Sequence, residues 1–95
     1  PMTVESIRRE IDEIDARIIK LIAQRQQLAG RLAHLKYQQG LPIHDETQES
    51  RVLARAFDRA VESKVNPVPV QQIFHTLVEM SEERQRECQG DGNLP

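Results

Sequence analysis

Apolar residues in the first third of the chain fall at Val4, Ile7, Ile11, Ile14, Ile18 and Leu21, then at Leu28, Leu32 and Leu35. The steps alternate three and four, as on one continuous face of an α-helix. One seam position breaks the rule, and Arg25 occupies it. No proline lies between Thr3 and Gln38, Thr3 and Ser6 both suit an N-cap, and Gly40-Leu41-Pro42 stops the helix. The predicted helix covers about 36 residues, or ~54 Å at 1.5 Å per residue. A second helix is predicted from Asp45, an N-cap with Gln48 three residues on as in a capping box, to near Lys64. Its inner stripe is Val52, Leu53, Ala56, Phe57, Ala60 and Val61. Asn66-Pro67-Val68-Pro69 reads as a turn that caps a third helix, which carries Val70, Ile73, Phe74, Leu77, Val78 and Cys88. Nothing alternates like a strand, so the fold class is all-α, with one long helix and two shorter ones.

A compact domain of this length has a radius of gyration of ~12 Å, hence a diameter near ~32 Å. The long helix cannot fit inside such a globule, and part of its seam needs another cover. A second copy of the chain is the simplest one.

Composition narrows the class further. The 95 residues make one domain, drawn as residues 1–89 with a frayed tail at 90–95. Aromatic residues are 3% of the chain and Trp is absent, so a single-chain core is modest. Thirteen basic against fifteen acidic residues argue against a nucleic-acid grip. No apolar run reaches the ~20 residues of a membrane span, and no secretory signal opens the chain. The one cysteine, Cys88, suits a reducing compartment, and a cytoplasmic location is expected.

Function is sought where the pattern breaks. Arg25 sits in the seam, and Lys36 projects from nearly the same face three turns later. Glu49 precedes Val52 and Leu53 by one turn, while Ser81 and Gln85 extend the stripe of Leu77 in steps of four. All three helices therefore turn hydrogen-bonding groups inward. A lone buried charge costs several kcal/mol, so these groups pair or line a wet cavity. Arg8 lies on the flank of the seam, ~25 Å from Arg25 along one helix. The two cannot grip one small ligand from one chain, but in an antiparallel or crossed dimer Arg8 enters the other chain's site. Arg25, Lys36 and a second chain's Arg8 against Glu49 leave a positive excess, which suits a small dicarboxylate.

Taken singly, each residue has a plainer role. Arg25 can set coiled-coil register, Arg8 can be solvated, and Lys36 and Glu49 suit helix dipoles. Asp45 is an N-cap first, and Ser81 and Gln85 suit an amphipathic edge. His34, His44 and His75 lack close metal-ligand spacing and read as surface or satisfied residues. Cys88 reads as inert, and Asp15 and the Glu82-Glu83 pair as solvated or paired charges. The joint pattern is what points to a site.

That joint pattern resembles the all-α chorismate mutase family. The resemblance rests on Arg8, Ile11-Asp12-Glu13-Ile14-Asp15, Arg25, Lys36, Pro42-Ile43-His44-Asp45, Glu49, and Val78-Glu79-Met80-Ser81 with Gln85, over roughly Glu5 to Gln89. It implies an intertwined, domain-swapped homodimer whose two sites each take Arg8 from the opposite chain. By the same resemblance, Arg8 and Arg25 hold the two carboxylates of chorismate. Lys36 and Gln85 hydrogen-bond its ether oxygen, Glu49 and the region of Asp45 hold the ring hydroxyl, and Ser81 assists a carboxylate. The family often has Arg where this chain has Gln48, a departure that weakens the assignment of that position. The implied reaction, chorismate to prephenate, is pericyclic. It needs no cofactor, metal or nucleophile, only confinement of the reactive conformer and stabilisation of charge on the ether oxygen. Isochorismate pyruvate lyase resembles the same fold, with aminodeoxychorismate mutase a more distant sibling. A dimerisation module without catalysis is the rival from another class.

Overall fold

A computed structural model of the chain describes residues 2–90. Three helices account for most of them: α1 (Val4–Gln39), α2 (Glu46–Glu62) and α3 (Pro67–Gly90). No strand occurs among the described residues, and none of their helices is long and apolar enough to cross a membrane.

Local chemistry sets each boundary. Thr3 is the N-cap of α1, and Ser6 completes the capping box from inside the first turn. The Thr3 hydroxyl accepts the Ser6 N–H at 3.0 Å, and the Ser6 hydroxyl accepts the Thr3 N–H at 2.9 Å. Gly40 ends the helix at φ 68°, a left-handed conformation that glycine adopts without strain. Asp45 caps α2 by accepting the Gln48 N–H at 3.1 Å. Helix α3 begins at Pro67 rather than after Pro69 as predicted. Prolines at Pro67 and Pro69 fall in the first turn, where a missing N–H leaves no bond unmade. Asn66 takes the cap, its Oδ1 accepting the Val68 N–H at 3.1 Å. At the other end α3 runs to Gly90, into the segment drawn as tail; residues 91–95 lie outside the described residues.

Helix α3 is the middle element and packs against both others. The buried core is small: Ala29 and Ala33 on α1, Ala56 and Ala60 on α2, Gln85 and Cys88 on α3. These small residues let backbones approach closely. A Cβ added at Gly30 would stand 3.2 Å from the Cys88 sulfur. Side-chain amides tie the layers, Gln89 to the Ala33 carbonyl at 3.0 Å and Gln71 to the Leu53 carbonyl at 3.1 Å.

The Ile/Leu seam is a different stripe from this Ala/Gly one. Every residue of α1 from Ile7 to Leu21 is exposed, and so are Leu28, Leu32 and Leu35. The molecule measures 57 × 26 × 14 Å with a radius of gyration of 16.8 Å, against ~12 Å for a compact domain of this length. On α2, Phe57 and Val61 are likewise exposed although the sequence put them on the inner stripe. Ala56 and Ala60 are the buried part of that stripe, and Val52 and Leu53 are half-buried.

Candidate active site

The C-terminal half of α1, the loop at residues 40–45, the first turns of α2 and the second half of α3 enclose a cleft of about 200 Å³. Its lining brings together Arg25 and Lys36 from α1, Asp45 from the loop, Gln48 and Glu49 from α2, and Ser81 and Gln85 from α3. Leu32, Ile43, Val52 and Val78 complete the walls. Seven of the eight residues named from sequence therefore share one cavity. The eighth, Arg8, is exposed on the protruding half of α1 and does not line the cleft.

Two groups are held at defined positions. The Lys36 ammonium donates to the Ile43 carbonyl at 2.7 Å, tying the last turn of α1 to the loop. An ammonium has three donors, so this bond aims the group and leaves two N–H for other acceptors. The Gln85 amide is buried, and its Nε2 donates to the Ser81 hydroxyl at 3.0 Å. Its Oε1 is buried and accepts from no protein group among the described residues. A hydroxyl both accepts and donates, so Ser81 can hold this amide by either end. Arg25 sits with its guanidinium 6.0 Å from the centre of the Phe74 ring, which holds the cation over an apolar surface.

The electrostatics differ from the sequence expectation of a positive excess. The lining carries two cations, Arg25 and Lys36, against three carboxylates, Asp45, Glu49 and Glu82. Glu82 is the residue that the sequence reading missed as a site group, having assigned it with Glu83 to solvated or paired charge. The signal was present: Glu82 stands four residues after Val78, just as Ser81 stands four after Leu77. Glu83, by contrast, is exposed and pairs with Arg86 at 3.1 Å.

His44 offsets part of the negative charge. Its Nδ1 donates to Glu82 Oε1 at 2.8 Å and lies 3.9 Å from Glu49 Oε2. The hydrogen bond and charge of Glu82, then the charges of Glu49 and Glu46, raise the imidazole pKa above 6.5. His44, Glu49 and Glu82 bring one donor atom each within 4.8 Å of one another, a grouping that histidine spacing in the sequence does not reveal. On the other side of Glu49, His75 approaches to 3.8 Å and stands 2.7 Å from Glu79.

Residues 7–86 match the family described as chorismate mutase type II. The chain belongs to that family. A chorismate mutase of Methanocaldococcus jannaschii is 38% identical over 81 residues, covering 85% of this chain and 82% of that protein. A bifunctional chorismate mutase/prephenate dehydratase of Aquifex aeolicus is 35% identical over 52 residues, 55% of this chain and 14% of that enzyme. The chain thus spans most of one chorismate mutase relative and a small part of the bifunctional one. Among solved structures, a conserved hypothetical protein of Pyrococcus furiosus superposes with a TM-score of 0.71 at 33% identity, over 90% of this chain and 97% of that one.

Proposed function

We propose that this chain is a chorismate mutase whose cleft converts chorismate to prephenate without a cofactor, acting as a homodimer. The observation that carries the reading is the convergence of Arg25, Lys36, Glu49, Ser81 and Gln85, from three helices, on one small cleft in a chain of this family.

The chemistry asks little of side chains as acids or bases. One C–O bond breaks and one C–C bond forms within a single molecule, and no proton moves. The protein must hold the folded conformer and favour the negative charge that grows on the ether oxygen. Arg25 suits a carboxylate. Lys36, already oriented by Ile43, has free donors for the ether oxygen, and Gln85 offers a neutral amide beside it. Glu49, with the region of Asp45, is placed to accept from the ring hydroxyl, and Ser81 supports both Gln85 and a carboxylate. Gln48 lines the cleft as a neutral hydrogen-bonding group.

The second carboxylate needs another cation, and the partner subunit's Arg8 is assigned to it. Two features support the intertwined, domain-swapped dimer: an unbroken exposed stripe from Ile7 to Leu21, and the ~25 Å that separates Arg8 from Arg25 on one helix. A cytoplasmic setting belongs to the same proposal and rests on the single unpaired cysteine, Cys88.

The deciding experiment incubates the chain separately with chorismate and with isochorismate and identifies the products. Prephenate from chorismate is expected. Pyruvate and salicylate from isochorismate, with chorismate untouched, would reassign the cleft to a lyase. No reaction with either would leave a dimerisation module.

A further inference from the structure

The cleft lining holds three carboxylates against two cations, and the group that answers Glu82 from the loop is His44. His44 follows Ile43, whose carbonyl is pinned by Lys36 from α1. It precedes Asp45, the cap of α2. Its own side chain reaches across 38 positions of sequence to α3. The loop at residues 40–45 is thus fastened to α1 through one residue and to α3 through the next.

We propose that His44 is a positioning residue for substrate binding: its imidazolium holds Glu82 against the loop and offsets Glu82 and Glu49, so that the cleft admits a dianion best while His44 is charged. The proposal deepens the mutase reading of the cleft and rests on it. The groups that face His44 are Glu46 and Glu49 on α2, at 3.8 and 3.9 Å, and Glu82 on α3 at 2.8 Å. On α1, Lys36 is held on the neighbouring carbonyl. Behind Glu82, Arg86 stands at 3.8 Å; its side chain is as exposed as that of His44, and it acts on that carboxylate more weakly only through the longer distance. Behind Glu49 stands His75, itself 2.7 Å from Glu79.

The charge count shows what His44 decides. With neutral His44, Arg25 and Lys36 face Asp45, Glu49 and Glu82; a second chain's Arg8 only balances them. Charged His44, which adjoins the lining through Glu82 and Glu49 without being part of it, adds one positive charge beside those carboxylates. His44 is a raised group, so its charge is present below 6.5 and is lost as pH climbs through the raised value. A bound dianion favours the imidazolium further. Binding therefore takes up a proton, and affinity falls as pH rises, by at most about tenfold per pH unit for one linked group.

The test follows KM and kcat for chorismate from pH 6 to 9 in the full chain, with an NMR titration of His44 in the free protein. The expected wild-type result is a KM that rises several-fold with pH while kcat changes less than about twofold. His44→Ala should show a flat profile at the high-pH KM. His44→Arg should restore the low KM and keep it flat, which a merely structural role for His44 does not predict. Glu82→Gln should lower KM, flatten its profile and bring the His44 titration down. Turnover with a pH-independent KM, or a His44 titration unmoved by Glu82→Gln, would overturn the role of His44 and leave the mutase reading standing. Absence of chorismate turnover at every pH would sink the mutase reading itself, and this role with it.

Discussion

Lys36 Nζ stands 2.7 Å from the Ile43 carbonyl oxygen, so the last turn of α1 and the loop after it are one mechanical unit at the floor of the cleft. The bond leaves the ammonium with donors to spare and little freedom to turn away. Removing a donor that acts on developing charge costs about a hundredfold to a thousandfold in kcat. Lys36→Ala is therefore expected to lower kcat by at least that factor. Arg25→Ala should do the same chiefly by losing the substrate carboxylate. Both variants should stay folded, because neither residue belongs to the Ala29–Ala33 packing edge, and should sediment as dimers, because neither lies on the exposed Ile7–Leu21 stripe. Near-full activity of either variant removes that residue from the site.

Gln85 supplies an amide that is neutral at every accessible pH. Gln85→Glu puts in its place a group that can donate to the ether oxygen only while protonated. Activity of that variant should be confined to acid and fall as the carboxyl ionises, by about tenfold per pH unit. The pH–rate profile measures this directly, and a profile like that of the wild type is incompatible with a bond from Gln85 to the ether oxygen.

Arg8 is outside the cleft of its own chain, which makes the dimer testable by mixing. Arg8→Ala and Arg25→Ala should each be inactive alone. After unfolding and refolding together in equal amounts, half the dimers are mixed, and each mixed dimer has one site free of both substitutions. About a quarter of wild-type activity should return. Failure to recover any would mean that Arg8 and Arg25 serve the same chain's site; full activity of Arg8→Ala alone would mean that Arg8 serves none.

Gly30 meets Cys88 where α1 crosses α3. Alanine is favoured over glycine inside a helix by about 1 kcal/mol. At Gly30 the new Cβ would lie 3.2 Å from the Cys88 sulfur, and part of that gain would be spent in moving it. Gly30→Ala should therefore stabilise the chain more in a Cys88→Ala background than in the wild type. A double-mutant cycle from denaturation midpoints reads the difference; strict additivity would show that the two helices part without resistance.

The helices were legible because their causes are local. The three-and-four spacing from Val4 to Leu35, the Thr3 and Asp45 caps and the Gly40 stop all act within a few residues, so they can be read along a line. The start of α3 was misplaced for a reason of the same kind, since proline can end one segment or open the next. The inward-turned Arg25, Lys36, Glu49, Ser81 and Gln85 were also visible, as breaks in apolar stripes. What the line of sequence did not show was which stripe of α1 faces its own chain. Large residues promised burial, yet Ala29, Gly30 and Ala33 form the contact, because close helix crossing needs small side chains and only the crossing itself selects them. The pairing of His44 with Glu82 is likewise a product of tertiary structure. Periodicity specifies the direction of a side chain from its own helix axis; the charge of a cavity depends on how separate axes are placed, and 38 intervening residues carry no local record of that.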